Sequence, residues 1–143
     1  MSAPVAVLSR RYRFSASHRL HTERLDAEGN RATFGKCNNP HGHGHNYVVE
    51  VAFAGVVDGE TGMVTNLADL DGFARTRLME VFDHQNLNTL ACFGDKVSTT
   101  ENLAVEVHRI FSAYPFARLL RVHVDETSNN SFEYAGGDAP ALW

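Results

Sequence analysis

The alternation of apolar and polar residues predicts two long strands in the first half of the chain. Over residues 11–20, one face carries apolar and aromatic side chains with a single histidine, and the other face is polar: Tyr12, Phe14, Ala16, His18 and Leu20 against Arg11, Arg13, Ser15, Ser17 and Arg19. This pattern is typical of a half-buried antiparallel strand. A second strand is predicted over about residues 43–57, because residues 47–53 are rich in β-branched and aromatic residues and a turn-forming stretch follows.

Helical spacing replaces alternation in the middle of the chain. Asn66 stands where an N-cap is expected, and apolar residues recur at helical intervals over residues 67–82. A second helix is expected to begin at a capping box formed by Ser98 and Glu101, and Pro115 is expected to end it.

Two further strands complete the predicted fold. Residues 119–127 alternate again, and residues 131–134 form a last short strand after a turn, whereas residues 25–36 are polar and are predicted to be a long connection. The order β-β-α-α-β-β predicts an α+β fold, with one antiparallel sheet carrying two helices on one face. The open face and the two sheet edges favour assembly with further copies of the chain.

Composition narrows the class of protein. The 143 residues suit one domain, taken as residues 1–143, and the net charge of −4 argues against a nucleic-acid-binding surface. No apolar run approaches the roughly 18–20 residues of a membrane span, and the N-terminus lacks the apolar segment of a signal peptide. Cys37 and Cys92 are too few for a disulfide framework, so a cytoplasmic location is expected.

Histidines at every second position open the second predicted strand. His41, His43 and His45 follow Cys37 and are separated by glycines. Residues two apart on a strand point to the same side, so His43 and His45 can offer two nitrogens to one metal ion, and His41 could join them if the strand starts early. His18 lies on the apolar face of the first strand and offers a third nitrogen. Three protein ligands with an open fourth position are typical of a catalytic zinc site.

Two acidic positions also suggest chemistry. Asp83 and His84 come directly after the first predicted helix, and they fit either a proton relay or a histidine that interacts with the helix dipole. Glu126 ends an apolar strand face, where an unpaired carboxylate would be costly. It therefore either lies in water at the strand end or binds a basic group.

Five segments carry a recognisable combination of residues. They are residues 14–20 (Phe-Ser-Ala-Ser-His-Arg-Leu), residues 37–47 (Cys-Asn-Asn-Pro-His-Gly-His-Gly-His-Asn-Tyr), residues 83–88 (Asp-His-Gln-Asn-Leu-Asn), residues 98–102 (Ser-Thr-Thr-Glu-Asn) and residues 126–127 (Glu-Thr). In this order they resemble the 6-pyruvoyltetrahydropterin synthase family, which shares its superfamily with the bacterial 6-carboxytetrahydropterin synthases of queuosine biosynthesis. The resemblance extends from about residue 10 to about residue 135.

The resemblance implies a fold and an activity. The family has the tunnelling fold, a four-stranded antiparallel sheet with two helices, and its members form trimers that close a barrel and stack in pairs as homohexamers. The family's zinc ligands correspond to His18, His43 and His45, so Zn²⁺ is the expected cofactor. The expected substrate is 7,8-dihydroneopterin triphosphate. Its conversion to 6-pyruvoyltetrahydropterin proceeds by loss of triphosphate and an internal redox shift, which makes the expected enzyme a zinc-dependent carbon–oxygen lyase.

The resemblance also implies roles for individual residues. Cys37 corresponds to the general base, and its thiolate should be favoured near a dication. Asp83 and His84 correspond to the residues that relay or donate protons.

Substrate binding is implied for a second group of residues. Glu126 corresponds to the anchor of the pterin, where a carboxylate can accept two hydrogen bonds from the aminopyrimidine edge. Thr99 and Thr100 correspond to further pterin contacts, and Thr127 is expected to help. The triphosphate requires positive charge, and five basic residues are candidates: Arg10, Arg11, Arg13, Arg19 and Lys36.

Two spacings within the histidine segment compete. Cys37, His41 and His43 satisfy the pattern Cys-x-x-x-His-x-His, which resembles the carboxy-type enzymes. The longer spacing from Cys37 to His43 and His45 resembles the pyruvoyl type and is preferred, because the apolar strand begins directly after His45. His41 would then not bind the metal directly.

Two other functions are alternatives. The carboxy-type enzyme takes the same substrate but releases the side chain as acetaldehyde. A non-catalytic module stabilised by zinc is the more remote possibility, and it would be expected to close its metal site with a fourth protein ligand such as Cys37.

Overall fold

The computed structural model describes residues 3–137, which form an α+β fold with a five-stranded, mostly antiparallel sheet. The strands are β1 (Val5–His18), β2 (His43–Val56), β3 (Gln85–Asn86), β4 (Arg118–Asp125) and β5 (Ser131–Tyr134). The α-helices are α1 (Ala27–Phe34), α2 (Leu67–Ala74), α3 (Glu80–Phe82) and α4 (Thr100–Ser112). A π-helical turn, Arg75–Met79, joins α2 to α3, so the predicted helix over residues 67–82 is one continuous segment that begins after the Asn66 N-cap as predicted.

The sheet has one strand more than the four that were predicted. Its order is β3-β1-β2-β4-β5, and β3 is a two-residue strand that runs parallel to Ala16 and Ser17 of β1. A strand of two residues has no alternation to detect. Its pairing depends on the chain after α3 returning to β1, where the His84 N–H donates to the Ser15 carbonyl at 2.6 Å.

Strand β1 begins earlier and ends earlier than the predicted 11–20. Its first residue, Val5, pairs with Val56, and the antiparallel register continues without interruption to His18 opposite His43. The partner strand therefore decides the length of β1. The predicted strand over 119–127 likewise ends at Asp125, so Glu126 lies just beyond β4.

Two predictions about helices were wrong. Residues 25–36 contain α1, whose N-cap Asp26 accepts a hydrogen bond from the Gly29 N–H at 2.7 Å. The N-cap of α4 is Thr99 and not Ser98, because the Thr99 hydroxyl accepts from the Asn102 N–H at 3.2 Å.

The core lies between one face of the sheet and the long helices, as predicted. Phe14 of β1 stacks on Phe82 of α3 with ring centroids 5.5 Å apart, and Tyr12 stacks on Phe111 of α4 at 6.1 Å. Burying aromatic rings of this size contributes a large share of the hydrophobic stabilisation. No helix within residues 3–137 is long and apolar enough to cross a membrane.

Candidate functional site

Three histidines meet at one end of the sheet, on the face that the helices cover. The β1–β2 register sets His18 opposite His43 and Ala16 opposite His45, so all three imidazoles lie on the same face. One ring nitrogen from each lies within 4.8 Å of the others, and His18 Nε2 is 3.1 Å from His43 Nε2. His18 is almost fully buried, with 1% of its surface exposed.

The donor set fits a metal ion. The Nδ1–H of His18 donates to the Ser98 carbonyl at 2.6 Å, which leaves the lone pair of Nε2 facing His43. Two nitrogens about 2.0–2.1 Å from one tetrahedral ion would be about 3.3 Å apart, close to the observed separation. A backbone carbonyl that fixes the tautomer of a histidine ligand is a common feature of metal sites.

Burial favours the neutral form of two of these imidazoles, His18 and His45. Burial lowers the pKa of His18 below its usual range, and the hydrogen bond to Ser98 only partly opposes this effect. Burial also lowers the pKa of His45, against the opposing effect of Glu126. Neutral imidazole is the form that binds metals, so the lowered pKa values of His18 and His45 favour metal binding.

Tyr47 and Ser98 support the cluster, whereas sequence reasoning assigned Ser98 only to a helix cap and gave Tyr47 no role. Tyr47 is fully buried, its hydroxyl is 3.5 Å from His18 Nδ1, and burial raises its pKa. The alternation His43, His45, Tyr47 could have indicated that Tyr47 follows on the same face. The Ser98 contact is made by the backbone carbonyl. Every residue type has this group, so the residue type at position 98 could not have predicted the contact.

Glu126 and Thr100 lie beside the histidines. The Thr100 hydroxyl donates to Glu126 Oε2, and the same oxygen is 4.0 Å from His45 Nε2. The Glu126 side chain is 15% exposed, so the carboxylate neither lies freely in water nor is sealed in the core. A half-buried carboxylate of this kind can accept hydrogen bonds from an amino-substituted ring.

The other two threonines of the predicted site have local structural contacts. The Thr99 hydroxyl caps α4. The Thr127 hydroxyl accepts from the Asn129 and Asn130 N–H groups, both at 3.1 Å, and so closes the turn between β4 and β5.

Cys37 lies in a 3₁₀ helix, Gly35–Asn38, and is held beside the chain that follows His18. Its carbonyl accepts from the Leu20 N–H at 2.8 Å. The next residue, Asn38, is buried and donates through Nδ2 to the Leu20 carbonyl at 2.7 Å. The thiol is half-buried and is not among the ligand atoms that cluster within 4.8 Å in the described part of the chain.

Asp83 and His84 form a pair anchored to β1. Asp83 Oδ1 accepts from the Ser15 N–H at 2.9 Å, and Oδ2 is 3.1 Å from His84 Nδ1. The bond from Ser15 is the main cause that lowers the pKa of Asp83, so the carboxylate is ionised. His84 has a positive φ of 58°, and its side chain is 82% exposed. Non-glycine residues with such a φ are concentrated at functional sites.

His41 lies apart from the three-histidine cluster. It is exposed and lines a cleft of about 780 Å³ that reaches His18, whereas the clustered pair from this segment is His43 and His45. The geometry therefore agrees with the longer of the two competing spacings.

Comparisons with known proteins agree with one another. The model of the 6-pyruvoyl tetrahydropterin synthase family matches residues 7–137. The chain is 49% identical to the human 6-pyruvoyl tetrahydrobiopterin synthase over 133 residues, which cover 92% of each chain. It is 45% identical to the protein of the same name from Drosophila melanogaster over 137 residues, covering 93% of this chain and 81% of that protein.

A solved structure agrees at the level of the fold and the sequence. The 6-pyruvoyl tetrahydropterin synthase of Caenorhabditis elegans superposes with a TM-score of 0.90 at 40% identity, covering 96% of this chain and all of that one. The chain belongs to the 6-pyruvoyl tetrahydropterin synthase family.

Proposed function

We propose that the protein is a zinc-dependent 6-pyruvoyltetrahydropterin synthase that converts 7,8-dihydroneopterin triphosphate to 6-pyruvoyltetrahydropterin and releases triphosphate. Membership of the family makes it a lyase-type enzyme of pterin metabolism. The observation that carries the proposal is the cluster of His18, His43 and His45 with Glu126 only 4.0 Å from His45. That arrangement brings a metal site and an anchor for an aminopyrimidine ring within the length of one small substrate.

We assign the zinc site to His18, His43 and His45. When bound, zinc supplies Lewis acidity that makes the hydrogens next to the substrate's side-chain oxygens easier to remove. The Ser98 carbonyl holds the His18 ring by its Nδ1–H, so the ring nitrogen that faces the other two imidazoles keeps its lone pair.

We assign proton removal to Cys37 and proton transfer to the pair Asp83 and His84. Since the Cys37 thiol is not among the clustered ligand atoms of residues 3–137, it is available as a base rather than as a fourth ligand. The ionised Asp83 accepts from the Ser15 backbone and lies 3.1 Å from His84 Nδ1, so it can orient the imidazole for proton transfer.

We assign the pterin ring to Glu126. Its carboxylate, oriented by the Thr100 hydroxyl, accepts hydrogen bonds from the amino group and the ring N–H of the substrate. Thr99 and Thr127 remain candidates for further contacts. Because their hydroxyls are bonded within the α4 cap and the β4–β5 turn, we expect these two threonines to contribute mainly to the shape of the pterin site.

The decisive experiment is product analysis from the expected substrate. Zinc-loaded protein incubated with 7,8-dihydroneopterin triphosphate should release triphosphate and 6-pyruvoyltetrahydropterin, without acetaldehyde. Stoichiometric acetaldehyde would instead identify the protein as a 6-carboxytetrahydropterin synthase.

The metal assignment predicts a specific pattern of zinc retention. His43→Ala and His45→Ala should each lose most of the bound zinc, because two nitrogen ligands hold a divalent ion far less tightly than three. His41→Ala should retain it, and so serves as the matched control from the same segment. Metal analysis of the purified variants checks this, and full retention in the His43 or His45 variant would refute the assignment.

A Cys37→Ala variant separates catalysis from a purely structural zinc module. We expect this variant to keep its zinc and lose turnover. Loss of zinc would make Cys37 a ligand and would favour the non-catalytic module.

We further propose that residues 1–143 form one domain, that the protein is cytoplasmic, and that it assembles as a homohexamer. Both cysteines are free thiols, which suits a reducing compartment. Among residues 3–137, the outer edge of the long β1 strand is paired with another strand only at Ala16 and Ser17, which leaves an edge for contacts between copies.

A further inference from the structure

His18 is the last residue of β1, and strand pairing holds it on one side only. On the β2 side the register ends with His18 opposite His43. On the outer side, among residues 3–137, β3 pairs with Ala16 and Ser17 and goes no further. Backbone outside paired elements opens at a low cost in free energy, yet the residues of a binding site must be held to within about 0.5 Å. The end of β1 therefore needs support beyond its strand partners.

The side chain of Asn88 supplies that support at the next residue along the chain. Asn88 Oδ1 accepts from the Arg19 N–H at 2.7 Å, and Asn88 Nδ2 donates to the Arg19 carbonyl at 2.8 Å. A side-chain amide carries the same kinds of donor and acceptor as a peptide group. Asn88 therefore continues, with its side chain, the pairing on the outer side of β1 that β3 begins with its backbone.

The turn that carries Asn88 is itself fixed to the fold. It is a 3₁₀ turn, Leu87–Thr89, and the Asn86 side chain caps it by accepting from the Asn88 N–H at 3.0 Å. Leu87 is fully buried in the hydrophobic core. Because the backbone of Asn88 is already held in place, only its side chain has to be ordered to bind Arg19.

Residues 83–88 are bonded to β1 on both sides of His18. At the start of this segment, Asp83 Oδ1 accepts from the Ser15 N–H at 2.9 Å, and the His84 N–H donates to the Ser15 carbonyl at 2.6 Å. At its end, the Asn88 side chain binds Arg19. The segment that bears the pair proposed for proton transfer and the strand that bears His18 are thus held together at two points.

We propose that Asn88 is a positioning residue that fixes the end of β1 and thereby places His18 for metal binding. This inference rests on the zinc site of the proposed function, although the bond to Arg19 can be measured without metal. Residues outside the ligand set that orient a metal ligand typically change the metal affinity by about 10–100-fold when they are mutated. Asn88 is exposed, so its replacement should leave the core intact.

The test compares Asn88→Ala with Asn88→Asp and Gln85→Ala. Asn88→Ala removes both bonds to Arg19, whereas Asn88→Asp keeps an acceptor for the Arg19 N–H and loses the donor to the carbonyl. Gln85 is an exposed residue of the same segment, so Gln85→Ala is the matched control. Competition with a chelator measures zinc affinity, the visible absorption of the Co²⁺-loaded protein reports the ligand geometry, and hydrogen exchange followed by NMR reports the bond at the Arg19 amide.

We expect Asn88→Ala to bind zinc roughly tenfold more weakly than the wild type, with a shifted Co²⁺ absorption. Its Arg19 amide should exchange roughly tenfold faster, because the amide has lost its acceptor. Asn88→Asp should recover part of the zinc affinity, and Gln85→Ala should match the wild type in all three measurements. Wild-type zinc affinity in Asn88→Ala, or an equal loss of affinity in Gln85→Ala, would overturn the proposal.

A merely structural role of Asn88 gives a different result. Asn88→Ala would then lower the urea midpoint of the metal-free protein while the folded variant kept the wild-type Co²⁺ absorption. That combination would also overturn the proposal.

Hydrogen exchange distinguishes failure of this inference from failure of the proposed function. A wild type that bound no zinc would reject the metal assignment, but faster exchange of the Arg19 amide in Asn88→Ala would still show that Asn88 fixes the end of β1. A wild type that bound zinc, together with unchanged exchange and unchanged affinity in Asn88→Ala, would reject the role of Asn88 and leave the zinc site intact.

Discussion

Gly42 separates His41 from His43 at the point where β2 begins. Its φ is 72°, and a Cβ built at this position would lie 3.0 Å from the His18 carbonyl oxygen. The left-handed region costs a residue with a side chain about 1–2 kcal/mol, and here a close backbone contact adds to that cost. The lack of a side chain at Gly42 therefore allows the start of β2 to lie close to the end of β1, where His18 and His43 meet.

We predict that Gly42→Ala lowers the free energy of unfolding by about 1–2 kcal/mol or more and weakens zinc retention. Gly44→Ala is the matched control, because its added Cβ would make only an ordinary contact of 3.7 Å with the Ala16 carbonyl oxygen. Urea unfolding and metal analysis of both variants check this. Equal unfolding midpoints for the two variants would contradict it.

Asn38 connects the residue proposed as the base to the strand that bears His18. It is 6% exposed, and its Nδ2 donates to the Leu20 carbonyl at 2.7 Å and to His21 Nδ1 at 3.1 Å. Removing a buried hydrogen-bonding group leaves partners unsatisfied, which costs about 1–3 kcal/mol.

We predict that Asn38→Ala reduces kcat by roughly tenfold or more while zinc is retained, because a displacement of the thiol by about 1 Å is costly for a positioned catalytic group. Asn39→Ala is the control, since Asn39 is exposed and its side chain accepts just one local bond within residues 3–137, from the His41 N–H. Kinetics and metal analysis check this. A larger kcat loss in the Asn39 variant would contradict the role of Asn38.

At the scale of elements, β1 and α2 are joined by a polar cluster on the surface. Arg10 donates twice to Asp71, at 2.8 and 2.7 Å, and the Tyr12 hydroxyl donates to the same carboxylate at 2.8 Å. The bonds from Arg10 are the largest cause that holds the pKa of Asp71 below its usual range. A carboxyl group whose folded pKa is lowered stabilises the fold above its unfolded pKa of about 3.9, and this contribution is lost as the pH falls through the folded value.

We predict that the stability difference between the wild type and Asp71→Asn is largest near neutral pH and shrinks below about pH 4. Asp69→Asn, on the exposed first turn of the same helix, should show a smaller difference at neutral pH, because Asp69 has no ion-pair partner within residues 3–137. Urea midpoints at several pH values check this. A difference that persisted unchanged to pH 2 would contradict it.

Helix α1 was not predicted because its sequence lacks the periodic apolar pattern from which a helix is recognised. Helix α1 has the sequence Ala-Glu-Gly-Asn-Arg-Ala-Thr-Phe, and its one buried residue is Asn30. Without an apolar stripe there is no 3.6-residue period to read. The helix is instead held by polar contacts of Asn30, which donates to the Thr22 and Leu25 carbonyls at 2.9 and 3.1 Å.

At the scale of the whole molecule, the open face of the sheet is charged in its middle and apolar at one end. Glu50 lies between Arg11 at 2.9 Å and Arg121 at 3.2 Å. Val5, Val7 and Val56 are exposed at the apolar end of the same face. The outer edge of β1 before Ala16 carries no strand partner within residues 3–137. A ring of copies that pairs such edges would leave no strand edge unpaired.

We predict that the protein in solution has about six times the mass of one chain. Light scattering coupled to size-exclusion chromatography measures this directly. Because strand edges pair through backbone hydrogen bonds rather than through exposed charges, high salt should change the mass little. A single-chain mass at micromolar concentration would refute the hexamer.

The amino-acid sequence by itself determined the periodic parts of this protein and the chemistry of its site. Alternation and helical spacing identified four strands and the long helices, and the types and spacing of His43 and His45 indicated a metal site, because side-chain direction follows from local backbone geometry. Only the tertiary structure decided which distant groups complete the site. The Ser98 carbonyl on His18, the Thr100 hydroxyl on Glu126 and the Asn88 side chain on Arg19 join segments far apart in sequence. Their contacts depend on sheet register and loop paths, which no local pattern encodes.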